Sequence, residues 1–170
     1  MKIKKIVDNC KKAGELYITD VDGVQWVGNS RGMYPLVGLP KFTPESLCDT
    51  FGINEEAQSK MILNEKELKE WGEISFGEIT SEDEAAEIVP VGVIYSGRSL
   101  VCVQSEGNVY FIDRRLFNPF DKSFELFKRR FGPIEYFVVT QGFFVVGIIF
   151  PEMEYRAQLA GDLKELVKLI

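Results

Sequence analysis

Two hydrophobic periods organise this chain. From residue 2 to 13, Ile3, Ile6, Val7, Cys10 and Ala13 recur at three- and four-residue spacing, which predicts an amphipathic helix that Gly14 ends. Short extended segments follow at Leu16–Thr19 and Val24–Val27, either side of Asp20-Val21-Asp22-Gly23. A third, Met33–Val37, comes after Gly28-Asn29-Ser30-Arg31-Gly32. Asp and Gly at these positions predict tight turns between returning strands. Thr43-Pro44-Glu45 predicts a helix capped by Thr43, with Pro44 in its first turn and Gly52 past its end. Asn54 and Asn64 read as caps of further short helices, the second running to Trp71. Ser81 with Glu84 forms a capping box for a helix to Ile88.

Strands dominate from Val89 onward. Val91–Tyr95, Leu100–Gln104 and Val109–Ile112 are separated by Gly-containing turns and predict an antiparallel meander. Phe120, Phe124, Phe127 and Phe131 recur at helical spacing, which predicts a second amphipathic helix over about 114–131, broken at Pro119 and capped by Asp121, with Lys122 and Arg129 on its far side. Ile134–Thr140 and Phe143–Phe150 are almost continuously apolar around Gln141-Gly142, the pattern of a central hairpin covered on both faces. A last helix from about Met153 presents Leu159, Leu163, Leu166, Val167 and Ile170. The fold class expected is α+β: antiparallel hairpins and a meander with amphipathic helices packed on them. One domain spans 1–152, with an acidic helical and loop insertion at about 41–88, and 153–170 form a C-terminal helix.

Composition narrows the chemistry. Of 170 residues, 45% are hydrophobic, enough for a sizeable core. The longest apolar run, Phe143–Phe150, is too short to cross a bilayer, and the basic start at Lys2, Lys4 and Lys5 runs into Asp8 and Asn9 instead of a signal-peptide core. A cytoplasmic protein without a membrane partner is expected. Cys10, Cys48 and Cys102 stand in unrelated contexts, so they read as core residues with neither disulfide nor zinc. The chain has no histidine, which excludes Ser-His and Cys-His nucleophile pairs and every His-containing metal site. No cofactor is indicated.

Charge is unevenly distributed under the net −6. Residues 1–12 carry five lysines against Asp8, and 113–131 carry six basic side chains against three acids. Residues 44–87 carry thirteen acids against Lys60, Lys66 and Lys69. Contact with nucleic acid, if made, uses a restricted face. Arg31, in its Gly-Asn-Ser-Arg-Gly loop, is a further candidate anion ligand through its guanidinium and neighbouring amides.

Two family resemblances bear on function. Asp20-Val21-Asp22-Gly23, Tyr95-Ser96-Gly97-Arg98 and Gly161-Asp162 resemble motifs of the haloacid-dehalogenase phosphohydrolases. That resemblance implies a magnesium-dependent enzyme with Asp20 as nucleophile, Asp22 as general acid, Ser96 on the phosphoryl group and Asp162 on the metal. It also requires a parallel sheet, whereas both motifs here run straight into returning strands. The order of elements over residues 1–30 and 108–153 (basic helix and strands, then strand, basic helix, hairpin and Pro) resembles a DNA sliding-clamp domain. That likeness implies a non-enzymatic binding and assembly protein, self-associating and contacting double-stranded DNA. Lys4, Lys5, Lys11, Lys12, Arg114, Arg115, Lys122 and Arg129 would be its phosphate contacts, sequence-independent and salt-sensitive. A third reading is a protein-interaction module that meets an unidentified protein partner through the acidic segment 44–87.

Overall fold

Asp22 and Gly23 both adopt positive φ, 51° and 83°, and between them the chain reverses. The antiparallel pairing Val21↔Val24 and Asp20↔Gln25 follows at once. Such a two-residue turn matches the right-handed twist of its strands, and Gly supplies the conformation at no steric cost. Ser96-Gly97 and Glu106-Gly107 repeat the device, with φ 48° and 74°, then 48° and 73°.

The computed structural model describes residues 1–121 and 123–152. The predicted first helix is α1, Ile3–Ala13. The strands that follow are β1 (Glu15–Val21), β2 (Val24–Asn29) and β3 (Gly32–Leu36). Helices α2 (Pro44–Thr50) and α3 (Glu55–Gln58) precede β4 (Ile62–Glu65). Next comes the meander of β5 (Glu84–Tyr95), β6 (Arg98–Ser105) and β7 (Asn108–Asp113). Last are β8 (Glu125–Phe131), β9 (Ile134–Gln141) and β10 (Phe144–Ile149). Among the described residues, one ten-stranded sheet results, in the order β4-β1-β2-β3-β10-β9-β8-β5-β6-β7. All pairings are antiparallel except β1 with β4.

The mixed α+β class and the antiparallel sheet are as expected, and β9–β10 lies at the sheet's centre. Its two faces serve two cores. Phe137, Val139 and Ile149 enter the main cluster, while Tyr136, Val138 and Ile148 join Trp26, Met33 and Phe76 on the other side. The main cluster also takes Ile18 and Val27 from one wing of the sheet, Val103 and Ile112 from the other, and Ile6, Val7 and Cys10 from α1. α1 itself packs on β1 and β2 and on the turn at Arg114–Phe117.

Three expected helices are corrected. Residues 114–131 are not a basic helix: Arg114–Phe117 make one 3₁₀ turn and 125–131 are strand β8. Phe120 and Phe124 pack around Phe117 and Tyr34, while Leu126–Phe131 pair along β9. The helical spacing of the phenylalanines was overridden by the backbone partners on β5 and β9, which selected the strand. The Ser81–Glu84 capping box is likewise absent, because Glu84 already begins β5 and pairs with Lys128. Asn64 lies inside β4, beside Tyr17 of β1, and a 3₁₀ turn at Leu68–Trp71 replaces the rest of that helix. The helix expected from Met153, with Asp162, lies outside the described residues, as does Lys122.

The segment 41–88 contributes to the main core through Leu47, Cys48 and Ile53. Among the described residues, no helix is long and apolar enough to cross a membrane.

Candidate anion-binding cleft

Three separate turns deliver arginines to one place. The last turn of α1 carries Lys11 and Lys12, favourable beside the helix's negative C-terminal end, and Gly14 at φ 75° closes it with its N–H on the Lys11 carbonyl. Ile6, Val7 and Cys10 are buried, so Lys4, Lys5, Lys11 and Lys12 face solvent. Lys4 is paired with Asp8 one turn on, at 2.9 Å.

The β2–β3 turn is held by side chains. Asn29 Oδ1 accepts the Arg31 N–H at 2.9 Å, and Glu15 Oε1 accepts the Ser30 N–H at 2.9 Å. Burial opposes the charge on Glu15, but hydrogen bonds from Ser30 and Tyr17 outweigh it and hold the carboxyl below its ordinary value. Arg98 enters from the β5–β6 turn. Arg115 enters from the 3₁₀ turn, where Asp113 Oδ1 accepts both its backbone N–H at 2.9 Å and its Nε at 3.0 Å. Asp113 is buried, which disfavours its charge, yet the Arg115 bonds prevail and lower its pKa.

Together with Asn9 and Lys12, these groups line a cleft of about 310 Å³. Arg31 and Arg98 converge on a single oxygen, Glu152 Oε1, with Arg98 Nη1 at 3.4 Å. Glu152 is placed there by its own N–H, donated to the Phe111 carbonyl at 2.8 Å. The acids lie deep and the guanidiniums shallow. Side-chain exposure is 4% for Asp113 and 11% for Glu152, against 35% for Arg31, 42% for Arg98 and 41% for Arg115. Arg31 and Arg98 each use one of five guanidinium N–H groups on the described protein. Lys12 has no carboxylate within ion-pair distance among the described residues. The arrangement offers positive charge and uncommitted donors to an oxyanion.

The expected site residues separate on this map. Arg115 and Lys12 line the cleft, with Lys4, Lys5 and Lys11 on the helix beside it. Arg114 points elsewhere, donating from Nε to Ser99 Oγ at 3.1 Å. Arg129 is buried, and all five of its N–H groups are committed: to both oxygens of Asp83 and to the carbonyls of Ser75, Gly77 and Glu78. It is a structural clamp on the 75–83 loop and is withdrawn as a phosphate contact.

Asp20 accepts the Gly23 N–H at 2.9 Å and pairs with Lys41, whose hydrogen bond lowers its pKa. It and Asp22 belong to an antiparallel hairpin, as Ser96 does. Among the described residues, each of these motifs turns straight into an antiparallel partner strand and not into the crest of parallel motif strands that the phosphohydrolase chemistry needs, so that role for Asp20, Asp22 and Ser96 is withdrawn. Among the described residues no group of three or more Asp, Glu or Cys is gathered to hold a metal.

Asp113, Glu15 and Glu152 had no sequence signal, and Arg98 appeared only inside the Tyr95-Ser96-Gly97-Arg98 motif with no role of its own: Arg98 and Glu152 are 54 residues apart, and only the tertiary fold joins them. Compared with protein-family models, with curated proteins and with solved structures, the chain shows no match.

Proposed function

We propose that this chain is a non-enzymatic binding protein that contacts the phosphates of double-stranded DNA through Lys4, Lys5, Lys11 and Lys12 of α1 and the adjoining cleft of Arg31, Arg98 and Arg115. The observation that carries this reading is a contrast between arginines. Arg129 has every donor satisfied and is buried, as a structural arginine must be. Arg31 and Arg98 are half-exposed and, among the described residues, keep most donors uncommitted, in a protein whose net charge of −6 disfavours random surface attraction of anions. Attraction of this kind is sequence-independent and fades with salt, because releasing counterions into a more concentrated solution gains less entropy. Fluorescence anisotropy of a labelled duplex across a salt series tests it. Affinity that neither falls with salt nor weakens in Arg98→Gln and Lys11→Glu would sink it.

A second reading, self-association or a protein partner, is favoured by a separate surface. Phe143 is 96% and Phe144 76% exposed at the β9–β10 turn, beside Val37 and Leu39 and an apolar groove of about 610 Å³. Exposed apolar surface of this kind is the usual mark of protein contact. Sedimentation velocity on the wild type and Phe143→Asp tests this, with concentration-independent monomer in both counting against it.

A further inference from the structure

A cleft of about 310 Å³ has room for one phosphate-sized group and its immediate substituent, but not for a duplex. The lysine face of α1 and the cleft therefore meet different parts of a ligand. Two of the cleft's lining arginines, Arg31 and Arg98, already share an oxyanion, the carboxylate of Glu152. An incoming anion has to exchange with it or sit beside its charge.

Exchange discriminates by charge. A backbone phosphodiester or a simple carboxylate replaces one negative charge with one, and Glu152 has the advantage of being tethered in place. A phosphomonoester carries about −1.5 to −2 at pH 7, with three acceptor oxygens. It can engage both guanidiniums in paired hydrogen bonds, where the Glu152 contact uses a single oxygen. We infer that the Arg31–Glu152–Arg98 cluster is a site for a phosphomonoester, the terminal phosphate of a DNA strand, with Glu152 as a built-in competitor that makes the doubly charged anion bind more tightly there than a singly charged one. This ligand class presupposes the phosphate-binding reading above. It adds that strand ends are held differently from strand interiors.

The test compares two duplexes of one sequence, one 5′-phosphorylated and one 5′-hydroxyl, by anisotropy at fixed low salt. Inorganic phosphate is titrated separately and followed on the arginine side-chain NMR signals. The phosphorylated duplex should bind about tenfold tighter to the wild type. Glu152→Gln should strengthen the hydroxyl duplex and narrow that ratio, and Arg98→Gln should narrow it by weakening the phosphorylated one. Thermal melting confirms that each variant is folded. Should Glu152→Gln not fold, Arg98→Gln, whose side chain is exposed, reads the same discrimination.

Equal binding of both duplexes by the wild type would overturn the inference and leave the backbone reading standing. If neither duplex binds but inorganic phosphate shifts the arginine signals in the wild type and not in Arg98→Gln, the site stands for small phosphomonoesters and the DNA reading fails. No response to any of the three probes would overturn both.

Discussion

Arg129 and Asp83 form a two-pronged ion pair, Nε to Oδ1 and Nη2 to Oδ2, both at 2.6 Å. The pair joins β8 to a loop 46 residues earlier in the chain, and the remaining guanidinium donors fasten that loop by three backbone carbonyls. The loop carries Phe76 onto Trp26 in the second core, with ring centroids 4.9 Å apart. One buried arginine thus supports the outer face of the central hairpin.

Removing it leaves a buried carboxylate unpaired, so Arg129→Ala is expected to cost about 3–5 kcal/mol, read as a lower urea midpoint. Lysine has three donors and no fork, so Arg129→Lys should recover little of that loss. Neither variant should alter the salt slope of DNA binding while it remains folded.

Acid should loosen the same element. Burial works against the charge of Asp83, but hydrogen bonds from Arg129 and Thr80 outweigh it and hold the pKa below the ordinary 3.8. Asp113 is lowered in the same sense through Arg115. A carboxyl whose folded pKa is depressed stabilises the fold fully above its unfolded value and loses that contribution as pH falls through the folded one. Urea midpoints should therefore hold steady down to about pH 4.5 for these two groups and fall steeply below it. Asp83→Asn should be less stable at neutral pH and show a shallower acid limb.

Charge reversal on α1 should act mainly on binding. Lys11 and Lys12 are exposed, so Lys11→Glu and Lys12→Glu should cost only the roughly 0.3–1 kcal/mol of an acid at the helix C-terminus, a fall of a few degrees at most in melting temperature. Each should lower duplex affinity and reduce the slope of log K against log salt by about 0.9. An unchanged slope in both would remove α1 from the contact.

Gly28 is a steric requirement. A Cβ there would lie 1.9 Å from the Gly32 carbonyl oxygen, a backbone atom of the facing strand β3. Gly28→Ala has to push β2 and β3 apart beside the Arg31 turn, at a cost of at least about 1–3 kcal/mol. It should also weaken phosphate binding beyond what the lost stability explains, because Arg31 is displaced. Stability and affinity measured on the same sample separate the two effects.

The thiols should stay silent in the native state. Cys10, Cys48 and Cys102 are free and buried, and burial raises the pKa of each. An aromatic disulfide reagent should react with them only as the chain unfolds.

Local chemistry made much of this architecture legible. The αL turns at Asp22-Gly23 and Ser96-Gly97, the capped start of α2 at Thr43, and the apolar hairpin of β9 and β10 were all readable in the chain. Each depends on residues within a few positions of one another. The failures share a different cause. Phe124, Phe127 and Phe131 satisfy a helical period, but Lys128 and Arg129 beside them can be buried in a strand only because Glu84 and Asp83 come to meet them.

The amino-acid sequence alone determined where the chain turns, which stretches are apolar enough to be interior, and that histidine chemistry is excluded, because turn conformation, burial tendency and side-chain chemistry are properties of short segments. Tertiary structure decided which charges are used up and which remain available. Nothing within a few positions of Arg129 or Arg98 names the partner of either. The tertiary fold gives one a carboxylate and three carbonyls of the 75–83 loop and leaves the other lining a cleft, since the partners that settle an arginine's role lie dozens of residues away.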